Sequence, residues 1–240
     1  VNWSNDGETL SNFKGSNIRN RSYHFKEGIT WSTTSGSAFA GRKSPTGYLF
    51  DSKGCMAFSY GGISLEKLLA QMNAVTFNSF LDIITPTLDF NPGPVGNVPI
   101  EEVNNNVSEE LVIENISASK DDWDSFENSW DFKKHPLLRN VSTISEAFTQ
   151  WQSECDDRFN QLKANEEELN RIFIDIYGLQ DELTPEVEDK DVTVRKADLQ
   201  RDIKSLLSYA VGCMFGRYSL DVEGLAYAGG EWDSSKYQSY

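Results

Sequence analysis

One stretch, residues 146–177, decides the fold class, and it reads EAFTQWQSECDDRFNQLKANEEELNRIFIDIY. Its apolar side chains recur every three or four residues, which is the spacing that places side chains on one face of an α-helix. They are Phe148, Trp151, Cys155, Phe159 and Leu162, followed by Leu169, Ile172, Phe173 and Ile176. Glu166 interrupts this row. The pattern therefore predicts either one long helix over about 146–177 or two nearly collinear helices that break near Asn165.

Further helices are predicted on both sides of this stretch. A C-terminal helix over about 195–216 carries its apolar side chains at the same spacing. Residues 107–118 also favour a helix, and the aromatic residues between 121 and 138 are typical of anchors into a neighbouring core. An exposed apolar row of this length would drive association, so we expect long antiparallel helices to pair in one mostly helical domain.

The first hundred residues show a different pattern, in which short β-branched and aromatic runs alternate with turn residues. The candidate strands are Arg21–Lys26, Ile29–Thr34, Gly47–Phe50 and Cys55–Tyr60. From Ser64 the apolar spacing becomes helical, with Ser64 as the N-cap. A second helix is predicted over Val75–Ile84, because Phe77, Phe80, Leu81 and Ile84 lie on one side at helical spacing. It should end there because Pro86 sterically restricts the residue before it.

The two patterns together predict an α+β fold. A small mixed α/β domain is expected over residues 1–100, and the mostly helical domain over 101–240. The polar segment Glu101–Asn106 is the predicted boundary between them.

Acidic and basic side chains are distributed unevenly along the chain. The chain of 240 residues has 37 acidic and 22 basic side chains and a formal net charge of −15, which by itself argues against a nucleic-acid ligand. Residues 11–60, however, contain seven Lys and Arg side chains and only two carboxylates, Glu27 and Asp51. This asymmetry indicates two parts with different partners.

Candidate nucleic-acid contacts come from this basic region, where cations alternate with aromatic side chains. Lysine and arginine neutralise phosphates, and the arginine fork can also reach guanine edges. The predicted DNA-binding residues are Arg42 and Lys43 beside the Ser44–Gly47 turn, then Arg19, Arg21 and Lys26, with Tyr23 and Trp31.

Catalytic and metal-binding patterns are not found in the sequence. Three distant cysteines and two isolated histidines give no zinc site, and no Gly-x-Ser-x-Gly nucleophile motif occurs. Acidic pairs such as Asp121-Asp122 and Asp156-Asp157 lie in helical contexts that favour surface charge over acid–base catalysis. No apolar run is long enough for a membrane span, so no membrane partner is expected.

Two stretches carry a resemblance to a known family. The first is Lys120-Asp-Asp-Trp-Asp-Ser-Phe-Glu-Asn-Ser-Trp-Asp-Phe132, followed by His135-Pro-Leu137. The second runs over Asn165–Leu179 and continues with Leu206–Tyr218 and Gly224–Gly230. Together they resemble the C-terminal half of the PglX family, the adenine-specific DNA methyltransferases of BREX phage-resistance systems. Residues 28–100 are similar to the part of that family that contains its target-recognition region.

The resemblance implies sequence-specific recognition of double-stranded DNA by a fragment of an adenine-N6 methyltransferase. It also implies S-adenosylmethionine as the cofactor of the full-length enzyme, a bacterial cytoplasmic location, and partners that include the missing methyltransferase domain and other BREX components. The family's Asn/Asp-Pro-Pro-aromatic tetrapeptide has no counterpart, since Asn91-Pro-Gly-Pro94 departs from it. No catalytic residue and no cofactor-binding residue is therefore assigned, and the chain is expected to be an excised piece.

Three alternative functions remain open from the sequence. The helical domain could be a protein–protein interaction module that docks another defence-system component. The charge of −15 is also compatible with an acidic DNA mimic, although the basic region opposes it. An enzyme of an unrecognised type is the third alternative.

Overall fold

The computed structural model describes residues 3–101 and 107–238, and it shows a mixed α+β fold. The predicted fold class is therefore confirmed. Within the described residues the chain forms seven α-helices and one three-stranded antiparallel sheet. The contacts divide it into two compact units, which we call the first unit (Val1–Asn73 with Phe77–Val103) and the second unit (Ala74–Thr76 with Asn104–Tyr240). Residues 102–106 of the predicted boundary lie outside the described part, and the domain assignment stays a prediction.

The sheet of the first unit consists of β1 (Gly28–Ser32), β2 (Arg42–Ser44) and β3 (Gly54–Ala57), in the order β2-β1-β3. The predicted strand at Ile29–Thr34 corresponds to β1, and the one at Cys55–Tyr60 corresponds to β3.

The other two strand predictions are wrong. Arg21–Tyr23 is a 3-10 turn that follows Asn20, which has a left-handed φ of 57°. Gly47–Phe50 is not a strand. Backbone hydrogen bonds join Gly47 and Tyr48 to Phe25, whose own φ of 63° turns the chain away from an extended ladder. The sequence did not indicate β2.

The first unit also contains α1 (Ser4–Ser11), α2 (Leu65–Asn73), most of α3 (Val75–Ile84) and the short α4 (Pro92–Gly96). Helix α2 begins where predicted, and the Ser64 hydroxyl accepts a hydrogen bond from the Lys67 amide. Its Asn73 side chain both accepts from the Gly41 amide at 2.7 Å and donates to the Gly41 carbonyl at 3.0 Å. This pair of bonds ties the end of α2 to the entry of β2.

The core of the first unit is aromatic. Phe39 lies in the middle, with ring centroids 5.6 Å from Trp31, 5.3 Å from Phe77 and 5.5 Å from Phe90. Aromatic pairs at these distances contribute dispersion and quadrupole stabilisation in addition to the burial of apolar area. The sheet has only three short strands, and this aromatic core packs against one of its faces and stabilises it.

The second unit is built on α5 (Glu109–Asp124), α6 (Ile144–Tyr177) and α7 (Leu199–Met214). Helix α6 is the predicted long helix, and it is continuous. It passes Asn165 without a break because that buried amide donates to Asn115 of α5 at 2.8 Å and accepts from Gln161 at 2.8 Å. A fully bonded polar group therefore replaces an apolar one at the contact between the two helices.

The ends of α6 and α7 are set by caps. The Thr143 hydroxyl caps the N-terminus of α6, and Gly178, at φ 67°, ends it. Helix α7 begins later than the predicted residue 195 because the Asp198 carboxylate accepts from the Arg201 amide. Its side chains Ile203 and Leu206 pack on the α6 cluster of Ala147, Trp151 and Cys155. No described helix is long and apolar enough to cross a membrane.

Candidate nucleic-acid interface

The sheet of the first unit has one buried and one open side. Ile29 and Trp31 of β1 point into the core, with 0% and 3% of their surface exposed. Since side chains alternate along a strand, Thr30 and Ser32 point to the other side. Thr30 pairs with Arg42, and paired residues share a face, so Arg42 lies on the open side as well.

Arg42 is positioned by a neutral contact. Its Nη2 donates to the Ser32 hydroxyl at 3.3 Å, and no carboxylate pairs with it among the described residues. At the same end of β1, Ser32 pairs with Gly54, and Lys53 directly precedes Gly54. Arg42 and Lys53 thus flank one end of the strand.

The turn that contains Lys53 is held by the side chain of Asp51. One Asp51 carboxylate oxygen accepts from the backbone amides of both Lys53 and Gly54 at 2.8 Å, and these two bonds lower the pKa of Asp51. The nearby Lys53 charge lowers this pKa slightly further, but the two groups form no ion pair, and the Lys53 side chain is exposed. Sequence reasoning missed Lys53, and the Asp-x-x-Gly pattern of residues 51–54 is the signal that could have found it.

The other end of the open side is aromatic and basic. A Cβ on Gly28 would come within 2.7 Å of the Met56 side chain and 3.2 Å of the Phe58 ring, so these two side chains cover Gly28. Tyr23 packs on Phe58 with centroids 4.7 Å apart, and the Lys26 ammonium lies 5.4 Å from the Tyr23 centroid. Lys26 therefore adds a cation at the Gly28 end.

We call this surface the basic sheet face. Its residues are Tyr23, Lys26, Thr30, Ser32, Arg42, Met56 and Phe58, and we include Lys53 because it is exposed in the turn at the Ser32 end, just beyond the last pair of the ladder. The five residues of β1 beneath it span about 13 Å, which corresponds to about four base-pair steps of B-DNA.

Lys43 lies on the opposite side of the sheet from Arg42. Its Nζ is 2.6 Å from the Glu66 carboxylate and 3.8 Å from that of Glu27. The hydrogen bond to Glu66 raises the pKa of Lys43 and lowers that of Glu66, so both groups stay charged and neutralise each other. Of the two adjacent cations that the sequence predicted together, only Arg42 lies on the basic sheet face.

Arg19 and Arg21 lie outside the sheet. The Arg19 Nε donates to Asn17 at 3.2 Å, and no carboxylate pairs with Arg19 within the described range. Arg21 is 3.6 Å from the Asp6 carboxylate, and its guanidinium carbon is 5.8 Å from the Trp3 ring centroid. Arg21 thus stabilises the N-terminal segment through Asp6 and Trp3, whereas Arg19 has no carboxylate partner among the described residues.

Trp31 is an interior residue. Its indole donates to the Phe90 carbonyl at 2.8 Å, and it faces α2 rather than solvent. The predicted Tyr23, in contrast, is 44% exposed, and Tyr48 at 60% and Tyr60 at 93% are further exposed aromatic side chains of this region.

Carboxylates of the second unit serve the structure. Asp122 is buried and accepts from the Arg195 side chain at 2.9 Å and from the Arg195 amide at 3.2 Å. Asp202, 1% exposed, accepts from the Trp151 indole and from Arg201. In the part of the chain that the structure describes, no three His, Cys, Asp or Glu side chains form a group that could hold a metal ion.

Comparison with known proteins identifies the class to which the chain is similar: proteins named as adenine-specific methyltransferases. No family model matches the chain. The adenine-specific methyltransferase PglX of Lacticaseibacillus casei (strain Zhang) is 53% identical over 253 residues, which cover 100% of the chain and 21% of the relative. The adenine-specific methyltransferase BrxX of Escherichia coli O9:H4 (strain HS) is 34% identical over 245 residues, which cover 95% of the chain and 20% of the relative.

The resemblance to PglX that the sequence predicts is therefore confirmed. The chain spans about a fifth of the length of these relatives and is homologous to one segment of PglX. The C-terminal position of that segment stays a prediction.

Proposed function

We propose that the first unit binds double-stranded DNA through the basic sheet face, as the recognition part of an adenine-N6 DNA methyltransferase in a phage-defence system. The observation that carries the proposal is a group of three cations at this face, none of which forms an ion pair with a carboxylate among the described residues. They are Lys26 at one end of β1 and Arg42 with Lys53 at the other. The names of the two relatives supply the chemical context, because an adenine methyltransferase must find its base in DNA.

The residues of the basic sheet face divide the work of binding by their chemistry. Lys26 and Lys53 are flexible point charges that suit phosphates, whereas the guanidinium of Arg42 can fork onto the O6 and N7 of a guanine. The Ser32 hydroxyl holds one side of that guanidinium, which reduces the rotamer freedom that binding would otherwise cost. Thr30 and Ser32 add hydroxyls that can bond phosphate or base edges.

The other predicted residues receive secondary roles. Trp31 holds β1 against the core, and Tyr23 supports Lys26. Arg19 extends the electrostatic surface, Arg21 stabilises the N-terminal segment, and Lys43 keeps α2 against β2 through Glu66. Sequence preference is thus assigned to Arg42 and general affinity to the lysines.

The proposal includes the rest of the reaction only by analogy with the relatives. Methyl transfer from S-adenosylmethionine would be carried out by a methyltransferase domain elsewhere in a longer protein, and the cytoplasm, where bacterial DNA lies, would be its location. The role of this chain is to bring duplex DNA to that domain.

The test is a fluorescence-anisotropy titration of a labelled 30-base-pair duplex at several salt concentrations. Lys26→Ala should weaken binding and reduce the slope of log K against log salt by about 1, the value for one lost phosphate contact. Lys43→Ala is the matched control, because its charge is already neutralised by Glu66, and it should change the slope little. Equal effects of the two substitutions, or no binding by the unsubstituted chain, would contradict the proposal.

A further inference from the structure

Helix α7 is apolar on two sides, and only one of them is covered. Ile203 and Leu206 pack toward α6, and Tyr209 is buried beside Phe132 and Tyr218. The adjacent side, which begins one turn after Ile203, carries Leu207, Val211, Met214 and Phe215, whose surfaces are 62%, 50%, 82% and 80% exposed. A continuous row of apolar side chains on a helix is normally covered by a neighbouring element.

We propose that this second side, the α7 stripe (Leu207, Ala210, Val211, Met214 and Phe215), docks an amphipathic helix of a partner polypeptide whose apolar side is flanked by Asp and Glu. The inference is independent of DNA binding by the first unit, because it rests on residues of the second unit alone.

The spacing of the α7 stripe fits a helical partner. The positions 207, 210, 211, 214 and 215 follow the pattern i, i+3, i+4, i+7 and i+8, which forms one continuous ridge over two turns. A partner helix reads such a ridge through its own anchors at the same spacing. Burying side chains as exposed as Met214 and Phe215 removes enough apolar surface to contribute substantially to binding.

The charge around the α7 stripe identifies the partner's chemistry. Residues 203–220 contain no Asp or Glu, in a chain that has 37 of them. The charged residues of this stretch are Lys204, one turn before Leu207, and Arg217, just beyond Phe215, and both are exposed. The nearest carboxylate on α7, Asp202, is buried and bonded to Arg201 and Trp151. Glu127 lies on the covered side of α7, where it acts on Tyr209 and Tyr218. Lys204 and Arg217 form no ion pair among the described residues, so an acidic rim on the partner would meet two cations here.

Charge also distinguishes this partner from two others. A second copy of the chain would bring Lys204 and Arg217 toward the same cations and would add its own charge of −15. Duplex DNA would satisfy the cations but leave the apolar ridge in water, because its surface is dominated by phosphates. An acid-flanked amphipathic helix satisfies both the ridge and the cations.

The experiment uses two synthetic 21-residue helical peptides with Leu at the a and d positions of the heptad. One carries Glu at e and g, the other Lys at the same positions, and like charges keep each peptide from self-association. Fluorescence anisotropy with the 240-residue chain should show the Glu peptide binding at least tenfold more tightly than the Lys peptide. Leu207→Ser with Met214→Ser should weaken the Glu peptide at least tenfold, and circular dichroism should show an unchanged fold, since both positions are exposed.

A second variant tests the charge argument separately. Lys204→Glu leaves the apolar ridge intact and should lower the preference for the Glu peptide over the Lys peptide severalfold. Equal binding of the two peptides, or binding that survives the double Ser variant, would overturn the proposal. So would a dimer in light scattering that the double Ser variant dissolves, because a second copy would then be the occupant.

Discussion

The two units use their cations in opposite ways. In the first unit, five of the eight Lys and Arg side chains lie without a carboxylate partner among the described residues: Lys14, Arg19, Lys26, Arg42 and Lys53. In the second unit, nine of the fourteen are engaged in ion pairs: Lys120, Lys133, Arg139, Lys163, Arg171, Lys190, Arg195, Lys196 and Arg201. The net charge of −15 averages over this difference. The attraction of a polyanion depends on the cations that have no carboxylate partner in the fold.

The largest expected effect concerns the interior behind the basic sheet face. Trp31→Ala should lower the free energy needed to open β1 to solvent by about 3–5 kcal/mol. The substitution removes a buried indole, its hydrogen bond to Phe90 and its packing on Phe39. Hydrogen exchange of the β1 peptide measures this free energy. Trp130→Ala in the second unit is the matched control, since Trp130 is 100% exposed and its loss should stay within about 0.5 kcal/mol. Similar losses would show that β1 does not depend on the aromatic core.

The next effect is a pH dependence of the second unit. Burial lowers the pKa of His135 to about 4, and its Nδ1 accepts from the Leu137 amide at 3.2 Å. The folded state therefore resists protonation. This contribution to stability is fully present above the unfolded pKa of about 6.5 and is lost as the pH falls toward 4, by up to about 3 kcal/mol.

The measurement compares urea midpoints at pH 7 and pH 4.5 for the unsubstituted chain and for His135→Asn. The Asn side chain can still accept from Leu137 but does not titrate, so this variant should lose less stability on acidification. The titration of other carboxylates cancels in the difference. Parallel losses in the two proteins would contradict the assignment.

Loss of a buried ion pair in the second unit should have a somewhat smaller effect. Asp122→Asn should destabilise the unit by about 2 kcal/mol, because Arg195, only 33% exposed, loses its charged acceptor. Glu188→Gln is the control, since the Glu188–Lys190 pair is 71% exposed on both sides and contributes little. Urea unfolding distinguishes the two substitutions. Equal midpoints would mean that the buried pair is no more important than a surface pair.

The smallest effect would convert a paired cation of the first unit into an open one. Glu66→Gln removes the main partner of Lys43, which lies on the other side of the sheet, so its freed charge can act on duplex DNA only through the long-range field and should raise the affinity at low salt by no more than about threefold. Anisotropy at low salt measures the change. Glu188→Gln, which frees Lys190 in the second unit, should leave the affinity unchanged, and an equal rise there would show that any open cation suffices.

The periodic parts of the fold were predictable from the sequence, because local spacing determines them. Helix α6 was predicted to within two residues at its start, and α3 matched Val75–Ile84. The β2 strand was not predictable, since its place depends on Asn73, which bonds Gly41 from 32 residues away. A polar side chain at the end of a helix gives no local indication of the strand that it will hold.

The candidate site was predictable only in part for the same reason. Local sequence placed Arg42 and Lys43 together, and only the register of β1 with β2 shows that they lie on opposite sides of the sheet. Trp31 looked like a contact residue because aromatic side chains suit both interfaces and cores. The buried bond to Phe90, 59 residues away, decides between these roles.

The most direct test of the account compares the salt dependence of duplex binding for two matched triple variants. The first variant replaces the three cations of the basic sheet face by Gln: Lys26, Arg42 and Lys53. The second replaces three exposed cations of the second unit by Gln: Lys133, Lys134 and Lys190. Both variants change the net charge equally. We expect the slope of log K against log salt to fall by about 2–3 for the first variant and to stay unchanged for the second. Equal reductions in slope would contradict DNA binding by the basic sheet face, because binding would then follow total charge rather than the open cations of one face.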